Sequence, residues 1–440
     1  MSAKIQKLPE STLNHLQKKI LYTLFFLTLF RIGVHIPVPG VNTYALGDFF
    51  KTQGANLLGM FNMFSGGALE RFSVFALGVT PYISASIIAQ LLTVVVPHLE
   101  MLSKEGEAGR KKITQYTRYG TVILALVQGF IIAKTLEVTP YAGERLVLDG
   151  GLSWRIMSMI SLAAGTAFVM WLGEQITEKG VGNGMSLIIF AGIVAGLPRV
   201  IGDTYSQYSA QELDLIRMIM ICAVCVLIIA CVVFMEQGAR QIQIQYAKRQ
   251  VGRHVYGGQA SQLPIRVNSA GVIPAIFANS LLQFPNTIAA FMPNNIVSQI
   301  IQTAFIPGQW LWNVVYVSMI IFFAFFYTSI TFKTDDIAEN LKKHGGFIPG
   351  IRPGAKTSEF LDKVVTRLTL TGSLYLAAIC VLPTVLTEKF GVRFYFGGTS
   401  LLIVVGVALE TFRQIEAHRQ SLRYDSFLKK GIVRPRRGSL

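Results

Sequence analysis

Residues Ile216–Phe234 read IRMIMICAVCVLIIACVVF, and this stretch decides the fold class. A helix needs roughly 20 predominantly apolar residues to cross a bilayer core of about 30 Å, which is the length found here. Away from water, every backbone N–H and C=O must be paired by the protein itself. A helix does this within one segment, whereas strands must close into a barrel and alternate polar with apolar positions over about ten residues. Ile216–Phe234 does not alternate, so it predicts a membrane-spanning helix and excludes an outer-membrane barrel.

Nine further stretches of the same kind lie on either side. The predicted spans are Ile20–Val38, Phe72–Val96, Tyr119–Ala133, Ile156–Leu172, Met185–Leu197, Ile216–Phe234, Val272–Met292, Leu311–Phe332, Leu368–Leu386 and Gly398–Leu409. Composition agrees: 52% of the 440 residues are hydrophobic and 15% charged, unlike a soluble chain of two or three domains. The fold class is an all-α polytopic membrane protein with ten transmembrane helices. The first span follows a basic lead and has no small-residue cleavage site after it, which predicts that it is retained.

The net charge is +16, and its placement explains it better than nucleic acid does. Connections on one side of the ten spans, with both termini, hold 30 of the 40 lysines and arginines; the other side holds 9, counting Arg217 at the very start of the sixth span, and Arg31 lies inside the first span. Excess positive charge stays in the cytoplasm, so both termini are expected there. The bias leaves acidic lipids or a docked partner open as uses for the basic loops, with no specific nucleic acid implied. Cys222, Cys225, Cys231 and Cys380 all lie in apolar stretches and read as packing residues rather than disulfides or metal ligands.

Three spans carry features that a plain lipid-facing helix does not need. Segment 54–70, with Phe61-Asn62-Met63-Phe64-Ser65-Gly66-Gly67, is too short and glycine-rich to cross, and it reads as a re-entrant or lumen-filling piece joined to the second span. The fifth span is short and begins at Gly180-Val181-Gly182-Asn183-Gly184, read as a helix start. The seventh carries Pro274 and Pro285, with Asn279, Ser280 and Gln283 between them. Breaks in the second and seventh spans, five apart, fit two inverted five-span halves. The expected organisation is a lead at 1–19, a first half at 20–197, a second half at 198–409 with cytoplasmic loops 240–266 and 333–367, and a tail at 410–440.

Reactive chemistry is sparse. There is no phosphate loop of the GxxxxGK[ST] kind, and the six histidines fall at no metal-ligand spacing, so no metal, cofactor or catalytic residue is assigned and an enzyme is not expected. The spans lack the mid-membrane acids that ion-coupled carriers usually bury; Glu174 and Glu410 lie at span ends, and Arg31 is expected to snorkel or pair locally. A passive conduit is favoured. The alternative is a secondary transporter of a small solute with inverted-repeat architecture.

Several segments taken in order resemble a known family, the SecY subunits of the bacterial Sec protein-translocation channel. They are Phe61–Leu69, Phe75–Leu92, Gly106–Gly120, Trp171–Leu197, Tyr246–Gln250, Ala270–Phe277, Phe347–Gly354 and Phe394–Val405. The resemblance implies an hourglass pore between two pseudo-symmetric five-helix halves, passing unfolded secretory chains and releasing hydrophobic segments sideways into lipid. Carried over by motif, a pore ring would be Val79, Ile83, Met185, Ile189, Ile276 and Ile403. A plug would be Asn62, Met63, Phe64, Ser65, Gly66, Gly67, Ala68 and Leu69 within segment 54–70. Gln90 and Asn279 would sit at a lateral gate. Arg352, and with it Lys248, Arg249 and Arg253, would dock the ATPase SecA or the ribosome. SecE and SecG are the implied companions, the bacterial inner membrane the implied location, and signal-sequence-bearing polypeptides the implied substrates, with membrane lipids around them.

Overall fold

The computed structural model describes residues 10–52, 62, 65–138, 140–141, 144–210, 214–246, 249–251, 254–256, 260–291, 309–390 and 398–431. Its helices are α1 (Glu10–Gly33), α2 (Thr43–Thr52), α3 (Thr80–Val95), α4 (Pro97–Lys104), α5 (Glu107–Val138), α6 (Leu152–Lys179), α7 (Gly184–Ser209), α8 (Leu215–Gln237), α9 (Ile273–Phe291), α10 (Trp310–Thr331), α11 (Thr334–Lys343), α12 (Ala355–Phe390) and α13 (Gly398–Gly431). Seven short strands accompany them: β1 (Pro140–Tyr141), β2 (Glu144–Arg145), β3 (Ala239–Tyr246), β4 (Arg249–Val251), β5 (His254–Tyr256), β6 (Ala260–Arg266) and β7 (Gly346–Phe347). Each predicted span contains a helix.

Among the described residues, Glu107–Val138, Leu152–Lys179, Met218–Gln237, Trp310–Lys343, Ala355–Pro383 and Gly398–Ser421 are each long and apolar enough to cross a membrane. The pair α3–α4, bent by 99°, makes a seventh, and Gly184–Arg199 and Ile273–Leu282 are shorter apolar helices. Both shorter ones end near a proline within the helix, Pro198 or Pro285.

The second span departs from expectation. Phe72–Val96 reads as one apolar run, yet only Thr80–Val95 is helical, and residues 65–79 form successive turns. Gly66 at φ +70° and Phe72 at φ +44° hold left-handed backbone, and left-handed residues interrupt a helix. Helix α7 also outruns its apolar run, and α5, α12 and α13 extend past theirs into polar sequence.

The chain forms two compact units, one of Met1–Asp203 with Val407–Leu440 and the other of Thr204–Gly406. The first thus ends inside α7, a few residues beyond 197, and resumes inside α13. Helices in lipid gain no hydrophobic energy by associating, so close backbone approach at small residues does the packing. In the first unit Thr117, Thr121, Ala125, Gly129 and Ala133, each four apart, form a buried stripe on α5. Gly129 meets Met159 and Leu162 of α6 along that stripe, and Gly120 of α5 meets Ala85 of α3. Helix α6 in turn lays Gly165 on the Val74 carbonyl. The core above includes Leu69, Phe72, Leu77, Trp154 and Leu162, with the Trp154 indole donating to Pro39 O at 3.0 Å. In the second unit Gly398 of α13 lies on Ile379 of α12, and Phe277 of α9 meets Phe323 of α10 edge-on at 5.8 Å.

Because a methyl at Gly165 would run into the Val74 carbonyl, Gly165→Val is expected to cost about 3 kcal/mol, the upper range for overpacking. Gly47→Ala, inside helix α2 with open space around the added carbon, is the control and should not destabilise, gaining up to about 1 kcal/mol from helix propensity. Thermal unfolding of the purified protein in detergent measures both; equal melting of the two variants would contradict this packing.

Candidate functional site

In the first unit the site is built around the non-helical segment that precedes α3. Its interior is buried almost throughout: Ser65, Ala68, Leu69, Phe72, Ser73, Phe75, Ala76, Leu77 and Val79 are all inaccessible. Buried backbone must find partners, and here it does so turn by turn. Gly67 N donates to Asn62 O at 2.8 Å, Ser73 N to Ala68 O at 2.8 Å, Ala76 N to Ser73 O at 2.9 Å and Gly78 N to Phe75 O at 2.8 Å. Residues 36–38 pair with it from the end of α1: Val38 N donates to Phe72 O at 2.9 Å and Val74 N to Ile36 O at 3.0 Å.

Side chains complete the accounting. Asn62 Oδ1 accepts from Glu70 N at 2.9 Å, Asn62 Nδ2 donates to Glu70 Oε2 at 3.3 Å, and Ser65 Oγ donates to Asn62 O at 3.0 Å. Arg31 Nη1 of α1 donates to Gly66 O at 2.8 Å, and Arg199 Nη1 of α7 reaches Glu70 Oε2 at 2.5 Å. The expectation that Arg31 snorkels or pairs locally is corrected: its partner is 35 residues away. The signal was present in a lone guanidinium inside an apolar span, which demands a polar partner somewhere in the protein. Glu70 and Arg199 carried no such signal and were missed. Met63 and Phe64 of the expected plug, and residues 54–61, lie outside the described residues.

Val79 and Ile83 stand at the start of α3, where Ile83 N closes the first helical bond on Val79 O at 3.0 Å. Val79 is buried and Ile83 half-buried. Met185 and Ile189 occupy the first turns of α7. That helix start is tightly held: Asn183 Oδ1 accepts from Met185 N at 3.1 Å, Gly184 N donates to Thr177 Oγ1 at 2.8 Å, Val181 N to Thr23 Oγ1 of α1 at 3.0 Å, and Gly182 N to Gln414 Oε1 of α13 at 2.9 Å. The Met185 sulfur lies over Gly173 of α6, and Ile189 is buried. Gln90 lies half-buried on α3, its carbonyl accepting from Thr93 Oγ1 at 2.7 Å.

The second unit holds the remaining positions. Ile276 is half-buried and Asn279 buried on α9, and Ile403 is wholly buried in the first turns of α13. The two loops expected to dock partners form one structure here. Strand β3 pairs antiparallel with β6 from Ala239↔Arg266 to Gln245↔Ala260, and its end pairs with β7 through Gln245↔Phe347 and Tyr246↔Gly346. Ile242, Ile265, Ile348, Leu361, Val364 and Val365 form the apolar underside, against which Ile351 packs. The next residue, Arg352, is exposed on the turn, where its carbonyl accepts from Thr357 Oγ1 at 3.0 Å. Helix α11 is clipped to α12 by Thr334 Oγ1 donating to Asp362 Oδ1 at 3.0 Å and Ser358 Oγ donating to Asp335 Oδ1 at 2.6 Å. Lys248 and Arg253 lie outside the described residues, and Arg249 is placed only as part of β4. Among the described residues no group of three histidine, cysteine or acidic side chains is set to hold a metal ion.

Solved structures share this fold. A protein-conducting channel matches with a TM-score of 0.63 at 17% identity, covering 94% of this chain and 95% of that one. A SecY protein, described for a plug domain that stabilises the closed state and maintains a membrane seal, matches at 0.66 and 18% over 94% and 95%. Sec61 in the canine ribosome–channel complex from the endoplasmic reticulum matches at 0.62 and 16% over the same shares. The fold is therefore that of the protein-conducting channels, a helical membrane class, and the ten-helix, two-half architecture is consistent with it. Sequence narrows the class. The SecY family model matches residues 73–412, and the protein translocase subunits SecY of Vibrio cholerae and Escherichia coli K12 are each 49% identical, covering 97% and 96% of this chain and 96% of their own lengths. The chain belongs to the SecY family.

Ser358→Val removes the buried hydroxyl that donates to the exposed Asp335 carboxylate and so unfastens the clip. The variant is expected to loosen α11, so that trypsin cuts after Lys342 or Lys343 at least about threefold faster than in the parent, from a loss of roughly 1 kcal/mol. Unaltered cutting would mean the clip does not hold the loop.

Proposed function

We infer that this chain is the central pore subunit of a protein-conducting channel in the bacterial inner membrane, with both termini in the cytoplasm. It passes unfolded secretory polypeptides across and releases hydrophobic segments sideways into lipid. The observation that carries this reading is the 49% identity to SecY translocase subunits over nearly the whole of both chains.

Closure falls to a ring of Val79, Ile83, Met185, Ile189, Ile276 and Ile403 and to a plug at residues 62–69. Apolar side chains at a narrow collar expel water and so block ions, yet offer a moving polypeptide no specific hydrogen bond, which is what a conduit for any sequence requires. Supporting this, four of the six sit in the first turns of α7, α9 and α13, and Val79 and Ile83 begin α3. The plug reading draws support from the buried turns of residues 65–79, since non-helical backbone between spans needs protein around it.

Sideways release runs between α3 with α5 and α9 with α10. Gln90 and Asn279 are the candidates for an interhelical hydrogen bond that holds that seam, which would be worth about 1 kcal/mol, weak enough for an arriving apolar segment to displace. The chain has no catalytic centre of its own and acts with SecE and SecG, taking its driving energy from SecA, from the ribosome or from the membrane potential. Arg352 docks the cytoplasmic partner, assisted by Lys248, Arg249 and Arg253. The exposed turn between Ile351 and Thr357 supports this, because it holds a planar, multi-donor cation on a braced loop.

Two measurements test the reading. Arg352→Glu is expected to lower SecA-dependent import into inverted vesicles by about tenfold, the scale of one lost charge-assisted contact and its repulsive replacement, with the resting seal intact. Normal import by that variant would remove Arg352 from the docking surface. A photo-crosslinker placed along a stalled precursor should attach at each of the six ring positions. Attachment at none of them would remove the ring.

A further inference from the structure

The plug reading leaves open what keeps the segment seated when no polypeptide is present. Two arginines outside the segment answer this. From α1, the Arg31 guanidinium is part-buried and donates to the Gly66 carbonyl at 2.8 Å. From α7, Arg199 is paired with the Glu70 carboxylate at 2.5 Å, and Glu70 is in turn bracketed through its own N–H and its carboxylate by the Asn62 side chain. Between these two points, the Gly66 backbone lies on α7 at Gly192, so closely that a side-chain carbon at residue 66 would stand 2.8 Å from Gly192 Cα.

We propose that Arg31 and the Arg199–Glu70–Asn62 group form a two-point latch that seats the plug on α1 and α7, making Arg31, Glu70 and Arg199 positioning residues for gating. The inference rests on the plug reading above and adds to it what restrains the plug. An arginine on an otherwise apolar face of a span is costly unless paired, and the partner here is a backbone carbonyl. The donor goes to a main-chain atom, so the latch depends on where the backbone lies, and only glycine at residue 66 lets that backbone sit against both Gly192 and the Arg31 guanidinium. Glu70 works differently, since its charge-assisted pair is half open to solvent and weaker for it. Helix α7 carries both the latch and, in its first turns, Met185 and Ile189. Arg199 lies ten residues beyond Ile189, or about 15 Å along the helix axis. A movement of α7 that parts the ring therefore also draws Arg199 and Gly192 away from the plug.

The test is the resting ion conductance of the assembled channel in planar bilayers, normalised to the number of channels present. Arg31→Met, which keeps an unbranched apolar stem and loses every donor, should raise it about tenfold, the effect of losing one charge-assisted hydrogen bond. Arg31→Lys, which keeps one donor, should restore most of the seal, a rescue that a packing role for the stem would not produce. Arg199→Gln and Glu70→Gln should each raise conductance by about threefold, and the double variant no more than either single one, because they break the same pair. Deleting residues 65–69 sets the fully unplugged reference. If that deletion leaves conductance unchanged, the plug reading itself fails. If the deletion opens the channel but neither Arg31→Met nor Arg199→Gln does, the plug stands and the latch is overturned. Should Arg31→Met not assemble, Arg199→Gln, altered on an exposed side chain, decides alone.

Discussion

A backbone polar group out of reach of water must find its partner inside the protein, and this constraint governs the structure more than any single contact. The long helices meet it without help. The segment from Ser65 to Val79 cannot, since it turns repeatedly and is largely buried while doing so, and it therefore recruits bonds from three sources. Its own turns supply some, the end of α1 supplies Ile36 and Val38, and side chains supply the rest through Asn62, Ser73 and Arg31. Each unpaired group in that setting costs several kcal/mol, so the bonds do not decorate the segment; they are the condition for its existence. The same condition limits how it can move. Any displacement of the segment exchanges these bonds for water, which requires that the space around it be wet.

The second constraint is steric. Apolar side chains gain little by leaving lipid for a helix interface, so affinity between helices comes from how near their backbones approach. The four-residue stripe of α5 and the placement of Gly165 on Val74 bring α3, α5 and α6 into register, and with them the turn that starts α3. Gly184 lies on the Gly173 carbonyl in the same way, so the start of α7 is fixed to α6 at a point where no larger residue fits. Met185 follows directly and lies over Gly173. The positions assigned to the ring at α7 thus inherit their precision from glycines that never face a pore.

How much of this was legible in the sequence depends on the range of the interaction. Hydrophobic runs are local, and each of the ten contains a helix. Helix ends are less local: α5 begins twelve residues before its apolar run and α7 continues well past Leu197, because helical hydrogen bonding does not stop where hydrophobicity does. The second span misled for a sharper reason. Phe72–Val79 is as apolar as a helix, but its hydrophobicity is spent on burial within the protein, and the left-handed backbone at Phe72 and Gly78 distinguishes the two uses. Arg31 was visible as an anomaly and its partner was not, since nothing in a span reveals which distant carbonyl will accept. Glu70 and Arg199 look like ordinary residues at span ends and become meaningful only when the chain brings them together over 129 positions.

The two paired loops follow a different logic, because they stand outside the apolar helices and packing must supply the rigidity. Neither loop alone has a core. Joined through the pairing of β3 with β7, they share one, built on Ile242, Ile265, Ile348 and Leu361, and the turn bearing Arg352 stands on it. The base of this platform is fastened to the membrane helices by a buried acid: Asn268 donates to Glu236 at 2.5 Å, joining the end of α8 to the residues just before α9. Gly372 of α12 lies close against Val267 at the same place. A force applied at Arg352 is therefore not absorbed by a flexible loop. It reaches the roots of α8, α9 and α12 through a sheet and a charged hydrogen bond, and α9 is the helix that carries Ile276 and Asn279. A partner docked on this face needs no catalytic group in the channel to influence it; it needs only a platform stiff enough to move as one piece.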